Sequence, residues 1–250
     1  MRARAVQALG LLWAWGSLGR VLKVAGLPYA PPGFSGLAPL TSPAVAALFS
    51  AIFIVSLVAF VGDRRRDAAA MVMAVLLAAG AGLQTWQWPP GEGVNGAVNL
   101  PGAVLVAMAV ARWRAAEGDR EAAGIEAGAG VVAAGYVLAG LAKLGGSGFA
   151  WTSRENLGMQ IVSQGYAGMG ALEPLRLYVA DSGGLCRLLG VGTLAIELGA
   201  VLFMLPRLRP FVAAAIVALH LGIALLMDLH HYDWMFTTVG VAMGSRSWRR

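Results

Sequence analysis

Apolar runs of roughly twenty residues, each closed by arginines, prolines or tryptophans, recur along the whole chain, and very few folds accept such a pattern. A run of that length with few charges reads as a transmembrane helix, because only a helix satisfies its own backbone groups in hydrocarbon. The runs cover residues 6–27, 44–61, 68–86, 94–111, 125–144, 185–205 and 211–227. An eighth, 234–243, is short and crosses only if flanking residues join it. Composition agrees, since 13% charged residues fall far below the quarter usual in soluble domains. The expected fold is therefore all-α: a polytopic transmembrane helical bundle of seven or eight spans, forming a single integral-membrane domain over residues 1–250. The 34 glycines fit that class, because small residues let membrane helices approach closely, and Gly124 and Gly128 form one such pair.

The first run resembles a signal peptide in outline, but Arg20 and Lys23 follow it and no convincing cleavage site does, so it reads as a retained span. Residues 28–43 hold five prolines and read as a loop. Gln84, Trp86, Gln87 and Trp88 form an interfacial belt before the turn at Pro89-Pro90-Gly91, and Pro101 weakens the fourth run. Residues 145–184 mix glycine, charged and aromatic residues over too great a length for a passive connection. They read as an amphipathic or re-entrant segment of short helices on the non-cytoplasmic face.

The arginines orient this layout. With a cytoplasmic N-terminus, the cytoplasmic segments hold Arg2, Arg4, Arg64, Arg65, Arg66, Arg112, Arg114, Arg120, Arg207, Arg209, Arg246, Arg249 and Arg250, thirteen of the 19 basic residues. The net charge of +6 thus reports topology, and no nucleic-acid partner is expected. The lone Cys186 excludes an intrachain disulfide and a cysteine metal site.

Lys143, one of two lysines, closes the fifth run. A lysine at the edge of a membrane helix either snorkels to the headgroups or serves as a base, since desolvation favours its neutral form. Tyr136, Gly140 and Lys143 share one helical face, at spacings of four and three. Glu197 lies inside the sixth run and His220 in the seventh, where polar residues face the bundle interior and pair with one another. They are expected as buried partners, either as a structural hydrogen bond or, through the histidine, as an acid or base. Asp228, His230, His231 and Asp233 offer metal-ligand atom types without ligand spacing, so an interfacial loop is expected and no metal. Arg20 and Lys23 either snorkel or meet an anionic group.

Ala139-Gly140-Leu141-Ala142-Lys143-Leu144 and the tryptophan-containing segment after it resemble the Ala-Gly-x-x-Lys-Leu signature of the vitamin K-dependent gamma-glutamyl carboxylases and their bacterial relatives, the HTTM-domain proteins. Glu197-Leu198-Gly199-Ala200 is similar to that family's acid-Leu-small-Ala stretch. His220, with the aromatic run from Tyr232 to Phe236, is similar to its penultimate membrane helix. The resemblance spans residues 130–245 and implies that Lys143 is a base toward a reduced vitamin K-like quinone, in carboxylase- or epoxidase-type lyase chemistry. His220 joins it as a catalytic candidate, and Tyr136, Trp151 and Glu197 as ligand-binding candidates. The family's Trp-Asn-Asn-His element is missing, because every histidine here lies after position 219. No large soluble portion follows the last run, so a processive peptide carboxylase is not expected. Two other classes stay open: a DoxX- or MauE-like quinone-linked redox subunit, and a non-catalytic accessory subunit of a larger membrane complex. The partners expected are the lipid bilayer of a bacterial inner membrane, a quinone-like ligand and other membrane proteins.

Overall fold

The computed structural model describes residues 2–24, 43–63, 65–87, 100–165 and 170–245. The proline-rich loop at 28–42, the side chains of Arg20, Lys23, Gln84 and Trp86, Arg64, the turn at 89–91, residues 94–99, Tyr166 and the basic stretch after 245 lie outside the described residues. The described residues are helical, with no strand among them. They form α1 (Arg2–Val24), α2 (Pro43–Val61), α3 (Arg66–Gln87), α4 (Leu100–Arg114), α5 (Arg120–Ser147), α6 (Met159–Gly165), α7 (Glu173–Asp181), α8 (Gly183–Gly199), α9 (Arg209–Met227) and α10 (Tyr232–Gly244). Among the described residues four stretches are long and apolar enough to cross a membrane: Ala44–Val61, Glu117–Thr152, Gly183–Met204 and Arg209–Met227. Their outer faces are apolar, with Val55, Val58, Leu138, Leu188 and Phe211 all exposed. Such a surface belongs to a protein whose solvent is lipid.

The chain divides into two compact units, Met1–Val131 and Val132–Arg250, with the boundary inside α5. In the first, α1, α2, α3 and α4 bury Leu11, Trp15, Phe53, Phe60, Met73, Leu77 and Leu105 in one core. Trp15 stacks on Phe53 with ring centroids 4.7 Å apart and donates its indole N–H to Ser50 Oγ at 3.1 Å. An indole needs such a partner when buried. Between α2 and α3 the backbone turns through left-handed conformations at Asp63 and Arg65. Charges gather there: Arg4 meets Asp63 at 2.6 Å and Arg66 meets Glu121 at 2.8 Å. The fully buried Arg112 donates to Asp67 at 2.6 Å. Gly124 and Gly128 hold α5 against α4, for a Cβ at Gly124 would lie 2.8 Å from Arg112 Nη1 and one at Gly128 3.0 Å from Met108 Cγ. The small-residue spacing is a packing seam, and Glu126 sits between its glycines without leaving the helix.

In the second unit α5 ends at Ser147, and Gly148, with a positive φ of 57°, starts a change of direction. A tight turn, Gly148–Thr152, and a wide one, Arg154–Gly158, lead into α6, and α7 follows. The long connection is thus built of short helices, packed on α8 and α9. Trp151, Leu157, Ile161, Val179, Ala180, Cys186 and Leu194 share its core. Arg176 of α7 donates to Leu225 O at 2.9 Å, tying α7 to the last turn of α9. Ser182 caps α8, and α9 stops where Asp228 turns left-handed. The buried Arg209 donates to Phe203 O at 2.9 Å and Met204 O at 3.3 Å, satisfying carbonyls that end the α8 stretch.

Gly190 is where α8 comes closest to the turn after α5, since a Cβ there would lie 2.7 Å from Thr152 Cα. Backbone cannot yield as a flexible side chain does. Gly190→Ala is therefore expected to cost about 1–3 kcal/mol, read as a lower unfolding midpoint in detergent. An unchanged midpoint would mean that α8 moves away freely.

Candidate functional site

The site is built on the Val132–Arg250 unit, from one face of α5. Gly140 lies against α8, where a Cβ would meet Leu198 Cδ2 at 3.0 Å and Glu197 Cβ at 3.2 Å. That close approach brings Lys143, one turn further along α5, to Glu197. Lys143 Nζ donates to Glu197 Oε1 at 2.6 Å, a charge-assisted hydrogen bond. The lysine side chain is 25% exposed and the glutamate side chain 7%. The Lys143 ammonium also stands 5.2 Å from the Trp151 ring centroid, a cation–π contact supplied by the turn after α5.

Two turns back along the same face, about 10 Å of helix rise, Tyr136 Oη lies 2.7 Å from His220 Nε2 of α9. Either group can donate, depending on the histidine tautomer. Trp234 of α10 packs edge-on against Tyr136, with centroids 5.4 Å apart. His231, in the loop between α9 and α10, meets His220 edge-on at 5.7 Å. Burial, and then His230 beside it, hold the His231 imidazole below the usual histidine range.

Among the buried polar atoms without a hydrogen-bond partner in this unit are Glu197 Oε2 and His220 Nδ1, with Thr238 Oγ1 of α10 as a third. Glu197 and His220 are each 5% exposed. Buried polar atoms are normally paired, so each can serve an incoming group: the carboxylate oxygen as an acceptor, the ring nitrogen as donor or acceptor.

All five catalytic and ligand-binding candidates, Tyr136, Lys143, Trp151, Glu197 and His220, lie in this unit, but the pairing differs from the one expected. Glu197 and His220 are not each other's hydrogen-bond partners. Lys143 takes the glutamate and Tyr136 the histidine, because Gly140 lets α5 lie close enough to α8 for the lysine to reach across. Sequence reasoning passed over His231 and Trp234 as neighbours of His220, although the aromatic run beginning at Tyr232 was a usable signal. Asp228 faces Arg176 at 3.6 Å and His230 at 3.9 Å. Among the described residues no group of three or more His, Cys, Asp or Glu is placed to hold a metal ion. A groove lined by Arg154, Met159, Val162, Leu177, Tyr178 and Asp181 lies on the short-helix segment, apart from both pairs. Its Arg154 and Asp181 form an exposed ion pair, which contributes little to stability.

No family model, curated protein or solved structure matches the chain.

Proposed function

We propose that the chain is an HTTM-like protein of a bacterial inner membrane, with seven or eight spans and a cytoplasmic N-terminus. It binds a quinone-like lipid-soluble ligand and handles a proton on it. In this reading residues 145–184 lie on the non-cytoplasmic side and roof the site. The observation that carries the reading is the juxtaposition on α5 of a lysine–carboxylate pair and a tyrosine–histidine pair, with Glu197 Oε2 and His220 Nδ1 buried and unpartnered. Ionisable groups in a membrane interior are costly to keep and mark functional sites by default.

The residues present fit a hydroquinone, because an unpartnered carboxylate oxygen and ring nitrogen can meet its hydroxyl or carbonyl oxygens. Bound there, a reduced quinone supplies an acidic hydroxyl. Lys143 passes an ammonium proton to Glu197 across the 2.6 Å bond, and its neutral amine then takes the hydroxyl proton. The O–H bond breaks and an N–H bond forms. The pair gains one positive charge beside the anion it creates, which stabilises that anion where little water screens it. Trp151 and Tyr136 supply aromatic walls, and His220 with Tyr136 holds the second exchangeable proton.

Purified protein extracted with organic solvent and analysed by mass spectrometry is expected to release a quinone in near-stoichiometric amount. Extract without quinone, from protein that co-purifies with a large membrane partner, would reject the ligand reading in favour of an accessory subunit.

A further inference from the structure

We propose that His231 is the outer terminus of a proton path that reloads the buried Tyr136–His220 pair. His231 lies in the loop between α9 and α10, partly buried, with its ring edge-on to His220 at 5.7 Å and tilted to Trp234 at 6.4 Å. The two rings meet edge-on without a hydrogen bond between them, so in this path the proton passes from one to the other through a bridging water. On the other side of His220 the path is already made, because Tyr136 Oη is 2.7 Å from Nε2. The link it lacks is at Nδ1, which is buried and unpartnered on a ring 5% exposed. An imidazole accepts a proton on one nitrogen while releasing one from the other, and is the side chain best suited to pass protons near neutral pH.

The transfer balances. With His220 in the tautomer that donates Nε2–H to Tyr136 Oη, the phenol gives its own proton inward and takes the Nε2 proton in return. His220 Nδ1 then accepts a proton from His231 through water, and His231 recovers one from solvent. One proton crosses, Tyr136 and His231 return to their starting states, and His220 is left protonated on Nδ1, so its proton must return to Nε2 before the next transfer. Burial, and then His230, lower the basicity of His231, so the ring rests neutral and readily gives up a proton it has accepted. The charged and titratable groups around the loop are Asp228, held toward Arg176 of α7, His230, exposed and turned toward Asp228 and Tyr232, and Asp233 at the start of α10. His230, exposed and with its ring tilted against Tyr232 at 5.4 Å, makes the control.

This inference rests on the unit being a site of proton chemistry, but its test needs no ligand, so the two readings fail separately. The chain has 3 histidines, so ring resonances of the full chain, labelled with nitrogen-15 histidine in detergent, are assigned by single substitutions. The measured quantity is the solvent-exchange rate of the His220 ring proton. His231→Ala is expected to slow it at least about tenfold, less than the full effect of deleting a positioned proton-transfer group because residual water access remains. Imidazole added to the buffer is expected to restore the rate, while sodium chloride at equal ionic strength does not. His230→Ala is expected to leave the rate unchanged. Wild-type exchange in His231→Ala, absence of imidazole rescue, or equal slowing in His230→Ala would overturn the path. Should His231→Ala fail to fold, His231→Gln keeps size and hydrogen bonding but carries no proton. Wild-type exchange in that variant overturns the path equally.

Discussion

Lys143→Ala is expected to destabilise the protein by about 3 kcal/mol, near the lower end of what removing one partner of a buried ion pair costs. The lower end applies because a quarter of the lysine side chain is exposed, so water already screens part of the interaction. What remains after the substitution is a carboxylate 7% exposed, with Oε1 stripped of its 2.6 Å donor and Oε2 without one from the start. Removing the second charge relieves that situation. Lys143→Met combined with Glu197→Gln should therefore recover most of the loss, and the cycle of both singles and the double isolates the coupling. Lys143→Arg keeps the charge and should stay within about 1 kcal/mol of the parent, although its planar fork matches the site imperfectly. The singles of that cycle are Lys143→Met and Glu197→Gln, and chemical or thermal unfolding in one detergent reads every variant beside the parent. If the double variant loses as much as the sum of its singles, Lys143 and Glu197 are not coupled and the ion pair adds no stability.

The helices were legible because long apolar runs have one solution in hydrocarbon. The runs at 44–61 and 211–227 fall within α2 and α9, and the runs at 125–144 and 185–205 fall on two further stretches able to cross a membrane. The common face of Tyr136, Gly140 and Lys143 was legible too, since helical period alone fixes it. Partner choice was not. Which residue of α8 or α9 meets that face depends on how each helix is rotated about its own axis, and a near-uniformly apolar helix carries little periodic signal to set rotation. Glu197 and His220 were therefore expected together, whereas packing at Gly140 gives Glu197 to the lysine and leaves the histidine for the tyrosine. The turns at Gly148–Thr152 and Arg154–Gly158 were unreadable for a related reason. Their shape comes from tertiary contacts, with Thr152 pressed onto Gly190 and Asn156 donating to Ala150 O at 2.8 Å. The loop histidine His231 drew attention for its atom type, while its distance to His220 emerges only once the α9–α10 hairpin closes.

The central claim is that the lysine–glutamate pair takes a proton from a reduced quinone, and a lysine-to-arginine comparison at position 143 separates that role from a structural one. Guanidinium does not deprotonate in proteins, so arginine preserves the positive partner of Glu197 and abolishes the base. Removing a positioned general base typically lowers rate by about 100- to 10,000-fold, whereas changing an interfacial anchor alters stability alone. Wild type, Lys143→Arg, Lys143→Ala and Glu197→Gln are compared for oxygen-dependent consumption of a reduced naphthoquinone, with folding verified for each by unfolding midpoint. The measurement that decides is the wild-type to Lys143→Arg rate ratio at saturating naphthoquinol. A ratio of about 100 or more, in an arginine variant as stable as the parent, is the predicted result. A ratio near one, or no turnover by the wild-type protein, would contradict the account.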